Sequence, residues 1–188
     1  MKFISEIRLA LFALIICSQA FAGPARILII RHGEKTGDRN DIHLSVRGFQ
    51  RARALSQLFV RQPQLLTYGK PVALIAFNNQ FDGSVRGIET ATPLSKVLGL
   101  NLITSFSPDH TADVSQFIYG NSAFNQKMVM LVWRHSNIQD LAIQLGLRNA
   151  PGWDKDTFDR IWQIDYNPQG GVSSFKDIPQ HMLPGDSN

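Results

Sequence analysis

Three short apolar runs punctuate the chain, at residues 25–30, 72–77 and 128–132. Each has about the length of an average strand, and none shows the polar alternation of a strand with one wet face. Such runs predict strands buried on both faces of a sheet. Ser45 is placed to cap a helix reaching about residue 60, with Ala52, Leu55, Leu58 and Phe59 turned inward and Pro63 beyond its end. Residues 37–41 are turn-like. A glycine-containing turn over 78–87 leads to a helix at 89–98 that Gly99 closes. A short strand is expected at 100–104, and residues 109–125 read as loop with one helix, 113–119, capped by Asp113. A helix over 137–145 ends at Gly146, and 161–166 with 171–175 read as late strands or a hairpin. Strands alternating with helices predict a single layered α/β domain with a mostly parallel central sheet. Chemistry in such sheets gathers just past the carboxyl ends of the strands. His32 and His135 each follow directly on an apolar run.

The first 22 residues have a different pattern. Lys2 and Arg8 precede an apolar stretch, and Ala20-Phe21-Ala22 offers a small-x-small cleavage site. This is the layout of a secretory signal peptide, so residues 1–22 are expected to be removed and residues 23–188 to form the domain. The apolar stretch is short for a membrane span, and no stable membrane anchor is expected after cleavage. The mature protein would be secreted or periplasmic. Cleavage takes the formal charge from +4 to +3 and removes Cys17, the only cysteine. No disulfide, thiolate metal site or thiol nucleophile then remains. With 44% hydrophobic and 18% charged residues the whole chain has an ordinary globular composition. Arg47, Arg51 and Arg53 read as a solvated helix face. No nucleic-acid-binding motif accompanies the charge, so nucleic acid is not an expected partner.

The candidate chemistry begins at Arg31-His32-Gly33-Glu34. A strand end followed by glycine can bring backbone N–H groups to an anion. Arg31 offers a permanently charged fork for phosphate oxygens. His32 can attack phosphorus through a ring nitrogen and form a covalent intermediate. Arg86 stands near a helix start, where anions are favoured, and can hold the same phosphoryl group. His135, in Trp133-Arg134-His135-Ser136, can donate to a phosphoryl oxygen. A fourth element, Leu44-Ser45-Val46-Arg47-Gly48-Phe49-Gln50-Arg51-Ala52, is a helix start beside the first loop.

These motifs, in this order, resemble the histidine phosphatase superfamily, which includes the cofactor-dependent phosphoglycerate mutases. The family's Arg-His-Gly matches Arg31, His32 and Gly33. Its Leu-Ser/Thr-x-x-Gly-x-x-Arg/Gln-Ala matches Leu44, Ser45, Gly48, Arg51 and Ala52. Its Arg-Ala-x-Gln-Thr-Ala matches Arg86, Thr90 and Ala91, with Gly87 and Glu89 as substitutions, and its late histidine matches His135. The resemblance spans residues 25 to about 145. It implies a three-layer α/β/α sandwich of the phosphoglycerate mutase type. It also implies His32 as the phosphorylated nucleophile, a phosphate pocket of Arg31, Arg86 and His135, and no metal or organic cofactor.

The expected function is therefore an exported phosphatase acting on phosphate esters or anhydrides of a small molecule or macromolecule. Two rivals are a mutase-like phosphotransferase and a non-catalytic phosphate-binding or interaction module. The mutases carry a longer insertion with a glutamate acid; here residues 91–128 contain no glutamate. A leaving alkoxide needs a proton. Asp109 is the candidate acid, or else a turn aspartate. Glu34 is either a second acid or a residue that orients its loop. Arg134 either adds a phosphate contact or points outward. His110 reads as surface loop, since no metal-ligating cluster accompanies it.

Overall fold

A computed structural model describes residues 23–38, 40–79 and 83–187. The expected signal peptide, residues 1–22, lies outside the described residues, as do residue 39 and residues 80–82 of the two predicted turns. The elements run β1 (Arg26–Arg31), α1 (Val46–Leu55), α2 (Leu58–Arg61), β2 (Pro71–Ala76), α3 (Arg86–Leu98), β3 (Leu102–Ile103), α4 (Thr111–Gly120), β4 (Met128–Trp133), α5 (His135–Gln144), β5 (Arg160–Tyr166) and β6 (Val172–Pro179).

The three apolar runs are strands of one six-stranded sheet, in the order β3-β2-β4-β1-β5-β6. β1, β2, β3 and β4 pair in parallel, and β5 runs antiparallel to both β1 and β6. β1 and β4 are buried along their whole length, which is why their sequences do not alternate. Their side chains nevertheless alternate between the two faces. Ile27, Ile29, Val129, Leu131 and Trp133 pack against α4 and α5 through Val114, Ile118, Ile138 and Leu141. Leu28, Ile30, Met130 and Val132 pack against α1, α2 and α3 through Leu55, Leu58, Phe59, Ala91 and Leu94. Each such aliphatic side chain contributes about 1.5–3 kcal/mol by leaving water. The result is the expected three-layer α/β/α sandwich.

Several local expectations need correction. The helix expected to reach residue 60 breaks at Ser56, whose hydroxyl donates to Arg53 O at 2.7 Å while its amide also turns back three residues. That bond competes with the helical ladder. α3 begins at Arg86 rather than residue 89, so Gly87 is a helix residue and not a turn residue. A Cβ at Gly87 would lie 2.6 Å from Phe77 O, so glycine here permits a close backbone approach. Asp113 sits inside the first turn of α4, and the capping position is His110. Arg51 is not on a solvated face: it is 2% exposed. Ser45 and Gly99 do act as predicted, the first accepting from Gly48 N and the second closing α3 in a left-handed conformation.

The loop after β1 lies directly on the start of α1. A Cβ at Gly33 would come 2.9 Å from Gly48 O, and one at Gly48 would come 2.2 Å from Glu34 O. Ser45 fastens the same point, with both its amide and its hydroxyl donating to Glu34 O at 2.8 and 3.1 Å. Gly48→Ala is therefore expected to lower stability by about 1–3 kcal/mol in urea unfolding, as overpacked sites do. A gain of about 0.5–1 kcal/mol, the helix-propensity effect alone, would contradict this packing.

Candidate active site

β1 and β4 end side by side, with Arg31 opposite Trp133. The ladder continues one step further, since His32 N donates to Trp133 O at 3.1 Å. His32 and His135 thus emerge at adjacent strand ends on the same edge of the sheet, the second as the first residue of α5.

His32 is 4% exposed. Its ring meets Phe77 and Phe158 edge-on, at centroid distances of 5.8 and 6.2 Å. Nδ1 lies 2.7 Å from Gly33 O. A carbonyl only accepts, so Nδ1 carries the proton and Nε2 keeps its lone pair. Burial pushes the His32 pKa down to about 3, and the charges of Arg31 and Arg86 and the neighbouring His135 push the same way against the Gly33 carbonyl. At neutral pH His32 is an uncharged imidazole with a free Nε2, the form a nucleophile needs.

Arg31 is fully buried. Its Nη1 donates to Lys155 O at 2.5 Å and Thr157 O at 3.1 Å, and its guanidinium lies 3.6 Å over the Phe158 ring. Burial lowers its pKa to about 10, with Asp156, Glu34 and Asp154 opposing, so it stays charged at neutral pH. His135 is half-buried, and its pKa falls to about 4 through burial first and then Arg31, Lys35 and Arg134. Arg31 Nε and His135 Nδ1 are both buried without a hydrogen-bond partner among the described residues. Buried polar groups are rarely left unpaired, and two of them on adjacent strand ends beside a cationic fork suit an oxyanion.

Arg86 opens α3 and acts electrostatically on His32. Its Nε donates to His43 O at 2.9 Å, and its Nη2 donates to Asp41 O. Glu89, where the family pattern has glutamine, accepts from Leu44 N at 2.9 Å and pairs with His43 Nδ1 at 2.6 Å. A cavity of about 440 Å³ opens here between Arg86 and Lys35, Thr36, Gly37 and Asp38.

The remaining candidates have other positions. The amides at the strand end do not face the anion site: His32 N is on Trp133 O, and Gly33 N donates to Thr90 Oγ1 at 2.8 Å. Glu34 accepts from Arg51 Nη2 at 2.7 Å and from Arg47 Nε at 3.2 Å, contacts that fit the loop-orienting alternative. Asp109 Oδ1 accepts from Arg134 Nη2 at 2.8 Å and Asn137 Nδ2 at 2.9 Å on an exposed rim. Asp109 and Arg134 therefore engage each other, and neither the acid role nor the added phosphate contact has support in the geometry. The carboxylate acting on both Arg31 and His135 is the exposed Asp156. Sequence reasoning missed Asp156 and Phe158, and nothing in the local pattern of residues 152–159 marks them.

Among the described residues no group of three His, Cys, Asp or Glu side chains is placed to hold a metal ion. No family model and no curated protein matches the chain. Solved structures do share its fold. The protein histidine phosphatase SixA complexed with tungstate superposes with a TM-score of 0.58 at 16% identity, over 82% of this chain and 97% of that one. Phosphoglycerate mutase from Plasmodium falciparum gives 0.53 at 16%, over 87% and 96%. A phosphoserine phosphatase variant from Entamoeba histolytica in complex with phosphoserine gives 0.53 at 14%, over 80% and 95%. The fold is the phosphoglycerate mutase-like fold of the histidine phosphatases.

The electrostatics make a pH prediction. Between its ordinary value of 6.5 and about 3, His32 accepts a proton when unfolded and refuses it when folded. Its contribution to stability is present above about pH 6.5 and is lost as pH falls towards 3. Imidazole ¹⁵N NMR at pH 5 is expected to show His32 neutral and protonated on Nδ1. Half-protonation near pH 6.5 would contradict the burial argument.

Proposed function

We propose that this chain is an exported phosphatase of the histidine phosphatase superfamily, hydrolysing phosphate esters or anhydrides through a phosphohistidine on His32. The observation that carries this reading is the neutral, Nδ1-protonated His32 with Nε2 free, set beside the unpaired Arg31 Nε and His135 Nδ1. Four motifs in the family's order and the shared fold support it. Export rests on the layout of residues 1–22.

The chemistry takes two displacements. His32 Nε2 gives its lone pair to phosphorus as the bond from phosphorus to the leaving oxygen breaks. Arg31, Arg86 and His135 hold the equatorial oxygens and stabilise their charge. The Gly33 carbonyl, on Nδ1, favours the imidazolium that forms when Nε2 bonds to phosphorus. Water then attacks phosphorus from the side opposite Nε2, the N–P bond breaks, and orthophosphate leaves with His32 restored. The leaving oxygen takes its proton from solvent, because Asp109 is held on the rim by Arg134.

A phosphotransferase would need the phosphoryl group kept from water. The span between Ala91 and Met128 holds no glutamate and favours hydrolysis.

The test is turnover of a chromogenic aryl phosphate in EDTA. Wild-type activity is expected to survive EDTA, and His32→Ala is expected to lose about a thousandfold or more in kcat, as enzymes do when a nucleophile is removed. Asp109→Asn is expected to stay within about threefold, against the roughly 10²–10⁴-fold of a true general acid. Activity retained in His32→Ala would overturn the assignment.

A further inference from the structure

The segment after β6 carries no residue of the phosphate site, yet it is bonded to both of the site's flanks. On one flank stands Arg51, 2% exposed and surrounded by acceptors. Its Nε and Nη2 grip Glu34 at 3.0 and 2.7 Å, its Nη1 and Nη2 reach Asp186 at 3.1 and 2.9 Å, and its Nη1 also donates to Gln180 Oε1 at 3.1 Å. Burial opposes the charge of Arg51, but Asp186 and Glu34 more than offset it and raise its pKa. Glu34 directly follows Gly33, whose carbonyl holds His32 Nδ1.

On the other flank stands the Phe158 turn, whose ring lies under Arg31 and edge-on to His32. Gln180, fully buried, donates from Nε2 to Phe158 O at 3.2 Å and Arg160 O at 3.1 Å. Its amide donates to Asp159 O at 2.7 Å, and Ser187 N donates to Asp159 Oδ2. Asp186 in turn ties the segment to itself, accepting from Met182 N and Leu183 N at 2.8 and 3.0 Å. One amide side chain, Gln180, therefore bridges the guanidinium that fixes the His32 loop and the turn that supports Arg31.

We propose that Gln180 and Asp186 are positioning residues for catalysis, which set His32 through Arg51 and Glu34 and set Arg31 through the Phe158 turn. Neither touches the phosphate, so neither contributes to binding it. Each removes freedom from a group that must meet phosphorus in line. Small displacements of reacting groups produce large rate losses even when the altered residue is remote. Asp186 has a charge requirement beyond packing. An asparagine there keeps the volume and the acceptor for Met182 N and Leu183 N, but not the ion pair with Arg51.

This rests on the reading of His32 as the nucleophile, and the test separates the two claims. Asp186→Asn and Gln180→Met are compared with wild type in two measurements. The first is aryl phosphate turnover per folded molecule. The expected result is a fall in kcat of about tenfold or more with KM within about twofold. The second is solvent exchange of the His32 Nδ1–H by NMR, expected to quicken about tenfold or more as the loop loosens; it does not depend on activity. Two folded variants with kcat and exchange both within about twofold of wild type would overturn the proposal, even if the melting temperature fell. If Gln180→Met does not fold, Asp186→Asn decides by the same criteria. An inactive wild type would overturn the phosphatase reading, and the exchange comparison would then decide the positioning claim.

Discussion

The parallel pairing of β1 with β4 is the constraint on which the rest of the structure depends. Both strands are buried from end to end, and they run in register so that Arg31 and Trp133 finish together. Within these two strands charge occurs only at the ends, at Arg31 and at Arg26, which is held by Asp165 at 2.6 Å. Polar chemistry is confined to the strand ends. Parallel strands also need crossovers, and those crossovers supply the helices that cover the two faces. The layers, the buried strand sequences and the meeting of His32 with His135 all follow from one pairing.

Burial then does chemical work at that edge. An exposed histidine would be part-protonated near neutral pH, and a protonated ring has no lone pair to attack with. Sequestering His32 among Phe77, Phe158 and the backbone, with two guanidinium groups near, keeps it neutral and poised on Nε2. The penalty of burying Arg31 is offset by the carbonyls of Lys155 and Thr157 and by the face of Phe158. Those contacts engage Nη1 and the face of the guanidinium, and Nε has no hydrogen-bond partner among the described residues. A buried arginine whose partners are mostly neutral dipoles stays attractive to an anion, whereas one paired with a carboxylate has its charge already answered. Arg51 is the contrast: it is bound by Glu34 and Asp186, and its work is structural.

Much of this was legible along the chain wherever the controlling interaction is local. The strand runs, the Ser45 cap, the Gly99 closure and the strand-end histidines depend on residues within a turn of one another. Two of the four motif matches place their residues around the site for reasons now visible: Thr90 takes the Gly33 amide, while Gly48 lets the loop approach and Arg51 holds Glu34. What was misread depends on distant partners. The arginines of α1 looked like one solvated face because Asp186 and Gln180 lie more than a hundred residues away. The bond between Asp109 and Arg134 was likewise invisible in the sequence, because the two belong to different loops. Gly87 looked like a turn because the carbonyl it clears belongs to Phe77, just after β2 and ten residues back along the chain.

The central claim is that His32 becomes covalently phosphorylated during turnover, and trapping that intermediate tests it most directly. The enzyme, mixed with a ³²P-labelled phosphate ester and quenched in alkali within a single turnover, should carry label on the peptide containing His32. The bond should survive alkali and be lost in acid, as expected of a phosphoramidate, and His32→Ala should carry none. Label on a different residue, or full turnover without any label on His32, would contradict the account.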